Sequence, residues 1–382
     1  MARAKNGKRI TLLITAMAIL SLIVLGPLKN STTDMSSASR AGMCVPSNPD
    51  ITSDMISHKV NPHHNFTKGP APMGIADYGI NPSTNESYSY NTSSFLGSAT
   101  IRSFTVNGGV TGQLSSAQYS AGIQLNVVMK FAVLSNIYAY WLQDVVEIDT
   151  SQNYVTFLDN IWNFSSAPHY ASTISRAGIV GSGSVGSYGN GSFYGVVAGS
   201  GLPGNGISLT YPCTIFLEIN STIDPWGLPV ATFSYNDGFS WVTYDTVTFL
   251  LPPGPLVDSQ IVVNGSEYAP IGLFYDAELV FGGSGGGLST AAVSSDADLT
   301  LSYSHGTAMQ EIPFAYNFGS DTAETISNVQ CQTYTSGGVM FMKMTQQTGI
   351  LFFFVGVALI CLCIVPLIFR PGGNKSRGKA MS

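Results

Sequence analysis

Short apolar or alternating runs, each broken by Gly, Pro, Asn or Ser, follow one another from residue 95 to residue 335. The runs are rich in β-branched and aromatic residues, which is typical of strands separated by turns. They cover residues 123–134, 138–148, 154–162, 192–199, 213–219, 241–251, 273–281 and 298–304. Between the two ends of the chain we find no long helical periodicity. The pattern predicts an all-β domain that includes residues 95–335, built as a sandwich or barrel.

Two apolar segments flank this domain. Residues 349–369 carry no charge, and their length is close to the roughly 20 residues that span a bilayer as a helix. Basic residues follow over 370–382, so the positive-inside rule predicts that this tail is cytoplasmic. Residues 1–28 combine a basic start with an apolar run, which is typical of either a cleaved signal peptide or an uncleaved signal anchor. We therefore expect N- and C-terminal transmembrane helices around an extracellular domain.

Composition divides the rest of the chain. Residues 29–64 are rich in Ser, Thr and Asn and predict a stalk, whereas residues 336–348 predict a linker to the membrane segment. The strings WLQDVVEI and WVTYDTVTF resemble each other and indicate an internal duplication. A duplication predicts two β lobes over 65–200 and 205–335, and the alternative is a single domain.

Charged residues are scarce. Only 10% of the residues are Asp, Glu, Lys or Arg, against roughly 25% in an ordinary soluble domain. Residues 29–348 hold 22 acidic residues against eight basic ones, a formal charge of −14. Below about pH 3 ion pairs lose their carboxylates, whereas hydroxyl and amide hydrogen bonds persist. The composition favours a protein adapted to acid, and the alternative is a secreted protein with a glycosylated, uncharged surface.

Cysteine and histidine give no sign of a metal centre or a disulfide scaffold. Cys361 and Cys363 lie in the C-terminal apolar segment, and Cys44, Cys213 and Cys331 allow at most one disulfide among themselves. The histidines show no metal-binding spacing. We expect no metal, no cofactor and no nucleic-acid partner. Asn-x-Ser/Thr sequons, Asn85 and Asn91 among them, predict N-glycans on an exported chain.

Carboxylates are the remaining candidates for chemistry. Asp276 and Glu278, in YDAELVFGG, lie two positions apart on a predicted strand and therefore point to the same face. Two carboxyl groups held close together raise the pKa of one of them, so that they share a proton. One group then takes a proton from water while the other polarises a carbonyl, as an acid hydrolase requires. The alternative is a solvent-facing strand with two acids that have no catalytic role.

Two further acids stand alone among apolar residues. Asp77 lies in APMGIADYGI, a turn-rich segment, and the alternative to a catalytic role is a hydrogen bond to its own turn. Asp245 lies in TYDTVTF, and its alternative is an outward position on an alternating strand.

The strings PAPMGIADYG, YWLQDV, FLDNIWN, GSFYGVVAGSG, YDTVTF and YDAELVFGGSGGG occur in this order. Together they resemble the thermopsin family of archaeal acid peptidases, over roughly residues 65–335. The resemblance implies an endopeptidase that acts on proteins or peptides in acid. That family is grouped with aspartic-type peptidases, yet this chain lacks their paired D-[ST]-G motifs.

The matched strings contain the candidate catalytic residues. We take Asp276 and Glu278 as the first pair, with Asp77 and Asp245 in reserve, and Gln143 as a partner of Glu278 in a glutamic-type mechanism. The C-terminal apolar segment departs from a simple secreted member and implies retention at the cell surface. We therefore expect a membrane-anchored extracellular acid endopeptidase, and the alternative is a non-catalytic surface glycoprotein with an adhesive or envelope role.

Overall fold

The computed structural model describes residues 72–113, 117–165, 174–188, 191–198, 207–250, 254–268, 274–319, 322–336 and 339–346. The predicted segments 1–28, 29–64, 349–369 and 370–382 lie outside these residues. Within the described part of the chain, no helix has the length and apolar character needed to cross a membrane.

Strands dominate the described residues. They are β1 (Met73–Asp77), β2 (Ser89–Thr92), β3 (Ser94–Val106), β4 (Ser120–Val133), β5 (Asn136–Asp149), β6 (Tyr154–Asn163), β7 (Ile179–Val180), β8 (Ser184–Tyr188), β9 (Gly191–Ala198), β10 (Ile207–Ser208) and β11 (Cys213–Ile223). They continue as β12 (Pro229–Asn236), β13 (Trp241–Phe249), β14 (Leu256–Tyr268), β15 (Phe274–Tyr275), β16 (Ala277–Gly283), β17 (Ser289–His305), β18 (Ala308–Glu311), β19 (Tyr316–Phe318), β20 (Thr325–Ser327), β21 (Val329–Ser336) and β22 (Val339–Gln346). Two short 3-10 helices, Gly108–Thr111 and Arg176–Gly178, complete the described elements.

The strands form two sheets. Sheet I runs β19-β1-β16-β4-β5-β6-β9-β8, with β10 beside β6 and with β14 paired to β2, β4 and β15. Sheet II runs β21-β22-β17-β3-β11-β12-β13-β7, with β18 and β20 beside β17. The pairings are antiparallel except that between β17 and β20. Alternation along each strand turns one set of side chains inward, and the largest apolar cluster joins residues of both sheets. The all-β prediction is confirmed as a two-sheet sandwich.

Both sheets combine strands that precede residue 200 with strands that follow residue 205. The boundary predicted between two lobes, over residues 199–206, lies outside the described residues.

The predicted linker over 336–348 requires a correction. Residues Val339–Gln346 form β22, which pairs with β17 and β21 in sheet II. Met344 of this strand is buried in the core between the sheets. The sequence VMFMKMTQ alternates with a period of two, which is the strand pattern that the linker interpretation overlooked.

Candidate active site

A row of polar side chains crosses the outer face of sheet I. Glu278 of β16 is the register partner of Asn126 of β4, which in turn is the partner of Gln143 of β5. Their neighbours along each strand belong to the core between the sheets, so alternation turns this row to the opposite face. All three side chains are nevertheless buried. We call Glu278, Asn126 and Gln143 the amide–carboxyl row.

Hydrogen bonds connect the row from one end to the other. Asn126 Nδ2 donates to Glu278 Oε1 at 2.9 Å, and Gln143 Nε2 donates to Asn126 Oδ1 at 3.2 Å. Gln143 Nε2 also donates to Gln124 Oε1 at 3.1 Å. Trp162 Nε1 donates to Gln143 Oε1 at 3.0 Å. Amide and indole N–H groups do not titrate in acid, so these donors keep their role at low pH.

A groove of about 260 Å³ lies beside the row. Gln143 contributes to its lining, and the Gly-rich turn after β16 contributes Gly285 and Gly286. The remaining lining residues are Gly122, Gln124, Val145, Glu147, Leu158, Asn160, Trp162, Phe193 and Glu324. The groove thus combines apolar walls with polar groups at defined positions, as is usual for a binding site.

Glu324 ties the Gly-rich turn to the groove. Its Oε1 accepts a hydrogen bond from the Gly287 backbone N–H at 2.8 Å, and its Oε2 accepts one from Thr322 Oγ1. Gly286 and Gly287 have φ angles of +77° and +75°, which glycine adopts without strain. Burial raises the pKa of Glu147, another carboxyl of the groove, with a further contribution from the nearby charge of Asp149. Two carboxyl groups therefore line the groove next to the amide–carboxyl row.

Gly319 lies directly against Glu278. A Cβ atom on Gly319 would lie 2.5 Å from Glu278 Oε2 and 2.8 Å from Val280 Cγ1, which is too close for any real side chain. The Gly319 backbone N–H donates to Pro72 O at 3.1 Å and so helps to hold this segment in place. The backbone therefore approaches the Glu278 carboxyl as closely as only glycine permits.

Asp276 follows a different geometry from the one predicted. It lies between β15 and β16, at an interruption of the predicted strand. A second cluster of buried side chains, which we call the outer aromatic cluster, consists of Val128, Ala139, Trp141, Trp162, Phe164, Val262 and Tyr275. Tyr275 packs in this cluster and Ala277 packs in the core between the sheets, so the regular alternation of side chains fails at Asp276. The spacing argument for placing Asp276 and Glu278 side by side therefore does not hold here. Their cooperation stays a prediction.

Asp77 ends β1 and accepts three hydrogen bonds. The Gly79 backbone N–H donates to Asp77 Oδ1 at 2.8 Å, which is the turn contact considered for this residue. Tyr88 Oη donates to the same oxygen, and Tyr90 Oη donates to Oδ2 at 2.8 Å. Burial raises the pKa of Asp77 to about 6, although these donors oppose the shift. The contacts favour a structural role, and a catalytic role stays a prediction.

Asp245 lies in the core between the sheets, so the alternative of an outward position is wrong. Tyr194 Oη donates to Asp245 Oδ2 at 2.5 Å, and the Ser182 backbone N–H donates to Oδ1 at 2.8 Å. Asp144 and Asp159, which are register partners on β5 and β6, approach from sheet I. We call Asp144, Asp159 and Asp245 the core acid cluster.

Few hydrogen-bond donors reach the carboxyl groups of the core acid cluster. Tyr244 Oη donates to Asp144 Oδ1 at 2.9 Å, and the Val196 backbone N–H donates to Asp159 Oδ1 at 3.2 Å. Among the described residues, Asp144 Oδ2 has no hydrogen-bond partner, whereas the side chain of Asp159 shares a hydrogen bond with Asp245. Burial, followed by the charges of Asp245 and Asp144, raises the pKa of Asp159 to about 9. Burial also raises the pKa of Asp144 well above its usual range. Asp159 therefore keeps its proton at neutral pH.

Sequence reasoning missed several of these residues. Gln124 and Asn126 stand two apart in the apolar run IQLNVVMK, and a polar pair on one face of such a strand is a usable signal. Asp159 and Trp162 lie in the matched string FLDNIWN, but no spacing connects them to Asp245 or Gln143. Only the pairing of strands brings these residues together.

Comparison with known proteins identifies relatives of this chain. A family model described as Thermopsin matches residues 58–329. The chain is 35% identical over 273 residues to the protein named thermopsin from Sulfolobus acidocaldarius, across 71% of this chain and 79% of that protein. The matched region includes the amide–carboxyl row, the core acid cluster and Glu324.

The core acid cluster predicts a fold that is more stable in acid. The pKa of Asp159 in the folded protein, about 9, exceeds its value in the unfolded chain. The contribution of Asp159 to the free energy of unfolding is therefore complete below about pH 4, and it is lost as the pH rises from about 4 to about 9. Each such group lowers the free energy of unfolding by up to about 1.4 kcal/mol per pH unit in this window. We expect Asp159→Asn, which cannot ionise, to flatten this decline when chemical denaturation is measured across the same pH range. Asp258→Asn, at an exposed site, is the control and should keep the wild-type slope; an equal slope in both variants would contradict the assignment.

The close approach at Gly319 predicts a steric effect. We expect Gly319→Ala to lower the free energy of unfolding by about 1–3 kcal/mol, because the new methyl group must displace Glu278 or the backbone. Denaturant unfolding measures this loss. Gly178→Ala is the matched control, since a Cβ there would meet its nearest atom, Ser175 Cβ, at 3.9 Å. Equal stability of the two variants would show that Gly319 does not press on Glu278.

Proposed function

The chain belongs to the thermopsin family of acid proteases, and we propose that it is an endopeptidase whose reaction takes place at the amide–carboxyl row. The observation that carries this proposal is the hydrogen-bonded connection from the groove to Glu278 through Gln143 and Asn126. A peptide in the groove reaches Gln143. The carboxyl group of Glu278 follows in the row, after the side-chain amide of Asn126. This combination supplies both an acid–base group and neutral hydrogen-bond donors.

Glu278 is the general base of the proposed reaction. Its carboxylate takes a proton from a water molecule while the water oxygen bonds to the carbonyl carbon of the peptide. The electron pair of the C=O double bond moves onto the carbonyl oxygen. The electron pair on that oxygen then re-forms the C=O double bond as the C–N bond breaks, and the protonated Glu278 gives its proton to the departing peptide nitrogen. One water has then been added across the peptide bond. Neither a covalent intermediate nor a cofactor takes part in these steps.

Gln143 stabilises the oxygen on which negative charge develops. Its Nε2 donates to Gln124 and Asn126 in the structure, and it exchanges one of these acceptors for the substrate carbonyl. An amide donor aimed at the developing charge is the usual form of such stabilisation. Asp276 is the second acid in our proposal, as in an aspartic-type pair. The role of Gln143 corresponds to a glutamic-type mechanism. Asp276→Asn tests the aspartic-type contribution, and Gln143→Ala tests the glutamic-type contribution.

The location of the acids supports an enzyme over a non-catalytic surface glycoprotein. Glu147 and Glu324 line the same groove that Gln143 lines, and Glu278 is joined to Gln143 through Asn126. Protein or peptide chains are the substrates implied by this family. Acid conditions also agree with the raised pKa values of Asp144 and Asp159, which favour the folded state at low pH.

Substitution of the two acids tests the proposed function. We expect Glu278→Gln to lower kcat on a denatured protein by at least about 1,000-fold in acid, because the amide cannot accept the proton from water. Asp276→Asn should cause a smaller but clear loss if it serves as the second acid. Glu86→Gln, an exposed carboxyl, is the control and should retain wild-type activity. Full activity of folded Glu278→Gln would contradict the proposal.

We also propose that residues 349–369 hold the domain at the outer surface of the cell. Strand β22 ends at Gln346, a few residues before this uncharged stretch begins. When residues 1–28 are replaced by a cleavable signal peptide, a chain that ends at residue 348 should appear in the medium. A chain with the same replacement that keeps residues 349–382 should stay with the membranes and be degraded by protease added to intact cells. Recovery of the full chain in the soluble fraction of lysed cells would contradict the anchor.

A further inference from the structure

We propose that Trp162 is a positioning residue that orients the side-chain amide of Gln143 for the reaction. The inference rests on the proposed function of Gln143 and adds a residue that acts through it. Its basis is the hydrogen bond of 3.0 Å from Trp162 Nε1 to Gln143 Oε1, within a side chain that is buried at the groove.

The chemistry of the indole ring decides which way the amide faces. An indole N–H can only donate, so the atom of Gln143 that faces Trp162 must be the acceptor Oε1. The Gln143 NH₂ group is then turned away from Trp162, toward Gln124 and Asn126. Trp162 therefore selects one of two amide orientations that have nearly the same shape.

The chosen orientation continues along the row. Asn126 Oδ1 accepts from Gln143, which leaves Asn126 Nδ2 to donate to Glu278 Oε1. The hydrogen bonds from Trp162 to Gln143, from Gln143 to Asn126 and from Asn126 to Glu278 thus all run in one direction. Reversal of the Gln143 amide would place its oxygen against Asn126 Oδ1 and would leave no N–H at the oxygen of the substrate carbonyl. The direction of hydrogen-bond donation along the whole row therefore depends on Trp162 Nε1, the donor at its end.

The ring of Trp162 is itself held in place. It stacks on Phe193 with ring centroids 4.6 Å apart and an angle of 18° between the planes. The residue also lies opposite Trp141 in the register of β5 and β6. A ring fixed by packing loses little entropy when its N–H orients another group, which is a requirement for a precise site.

Trp141 offers a matched control. It is buried in the same outer aromatic cluster and stacks on Phe164 with centroids 5.7 Å apart. Its Nε1 has no hydrogen-bond partner among the described residues. A Trp→Phe change at either position removes a similar amount of ring, but only at Trp162 does it remove a hydrogen bond to Gln143.

A double-mutant cycle tests the inference. The proteins are the wild type, Trp162→Phe, Gln143→Ala, the double variant and Trp141→Phe, and the measurements are kcat and KM on a denatured protein in acid. We expect Gln143→Ala to lower kcat by about 100-fold, as for the loss of an oxyanion donor. Trp162→Phe should lower kcat by about tenfold, in line with one lost hydrogen bond. The double variant should match Gln143→Ala, and Trp141→Phe should stay within about twofold of the wild type.

The outcomes separate the inference from the proposed function. The positioning role of Trp162 would be overturned if the two decreases in kcat multiply in the double variant. It would also be overturned if Trp162→Phe and Trp141→Phe lower kcat equally. In either case Gln143 would remain a hydrogen-bond donor to the substrate. Full activity of Gln143→Ala would overturn the role of Gln143 itself. If Trp162→Phe does not fold, kcat is measured for Trp162→His instead, because a protonated imidazole still donates a hydrogen bond to Gln143. Its kcat should then exceed that of Trp162→Ala, and equal values would contradict the inference.

Discussion

Several buried carboxyl groups of this protein are contacted by neutral donors, whereas the buried carboxylate of Asp298 pairs with Arg102. Tyrosine hydroxyls reach Asp77, Asp144 and Asp245, and an amide reaches Glu278. Carboxylates that depend on a cation lose their partner interaction when they protonate, whereas a neutral carboxyl remains compatible with hydroxyl and amide neighbours. The low content of charged residues, 10% of the chain, has the same consequence for the whole fold. Both the stability of the sandwich and the proposed chemistry depend on this choice of partners.

The two sheets divide the acids between two environments. The inner face of sheet I, with β13 of sheet II, encloses the core acid cluster, where burial raises the pKa of Asp159 to about 9. The outer face of sheet I carries the amide–carboxyl row beside the groove. Because side chains alternate along a strand, Gln143 and Asp144 of β5 serve these two faces from adjacent positions. One strand thereby links the stability in acid to the site of the proposed reaction.

The sequence predicted the all-β class and most of the long central strands, because β4, β5 and β6 carry clear apolar patterns between turns. The family resemblance offered Gln143 as a partner of Glu278, and that pairing stays a prediction because Asn126 lies between the two side chains. The sequence missed Asn126 between them and Trp162 beside them, since cross-strand register is a non-local property that a single sequence does not encode as a spacing. The prediction for Asp276 assumed an unbroken strand, and the interruption between β15 and β16 depends on packing against two different clusters.

Infrared titration of the folded protein tests the central claim most directly, because protonated carboxyl groups have their own C=O stretching band. From about pH 3 to about pH 7 exposed carboxyl groups lose that band, whereas Asp159, whose pKa is raised to about 9, should retain it at neutral pH. The account predicts a residual band in the wild type that decreases when Asp159 is replaced by Asn. Complete loss of the band in the folded wild type below about pH 6 would show that the buried acids are ionised, and would contradict the account.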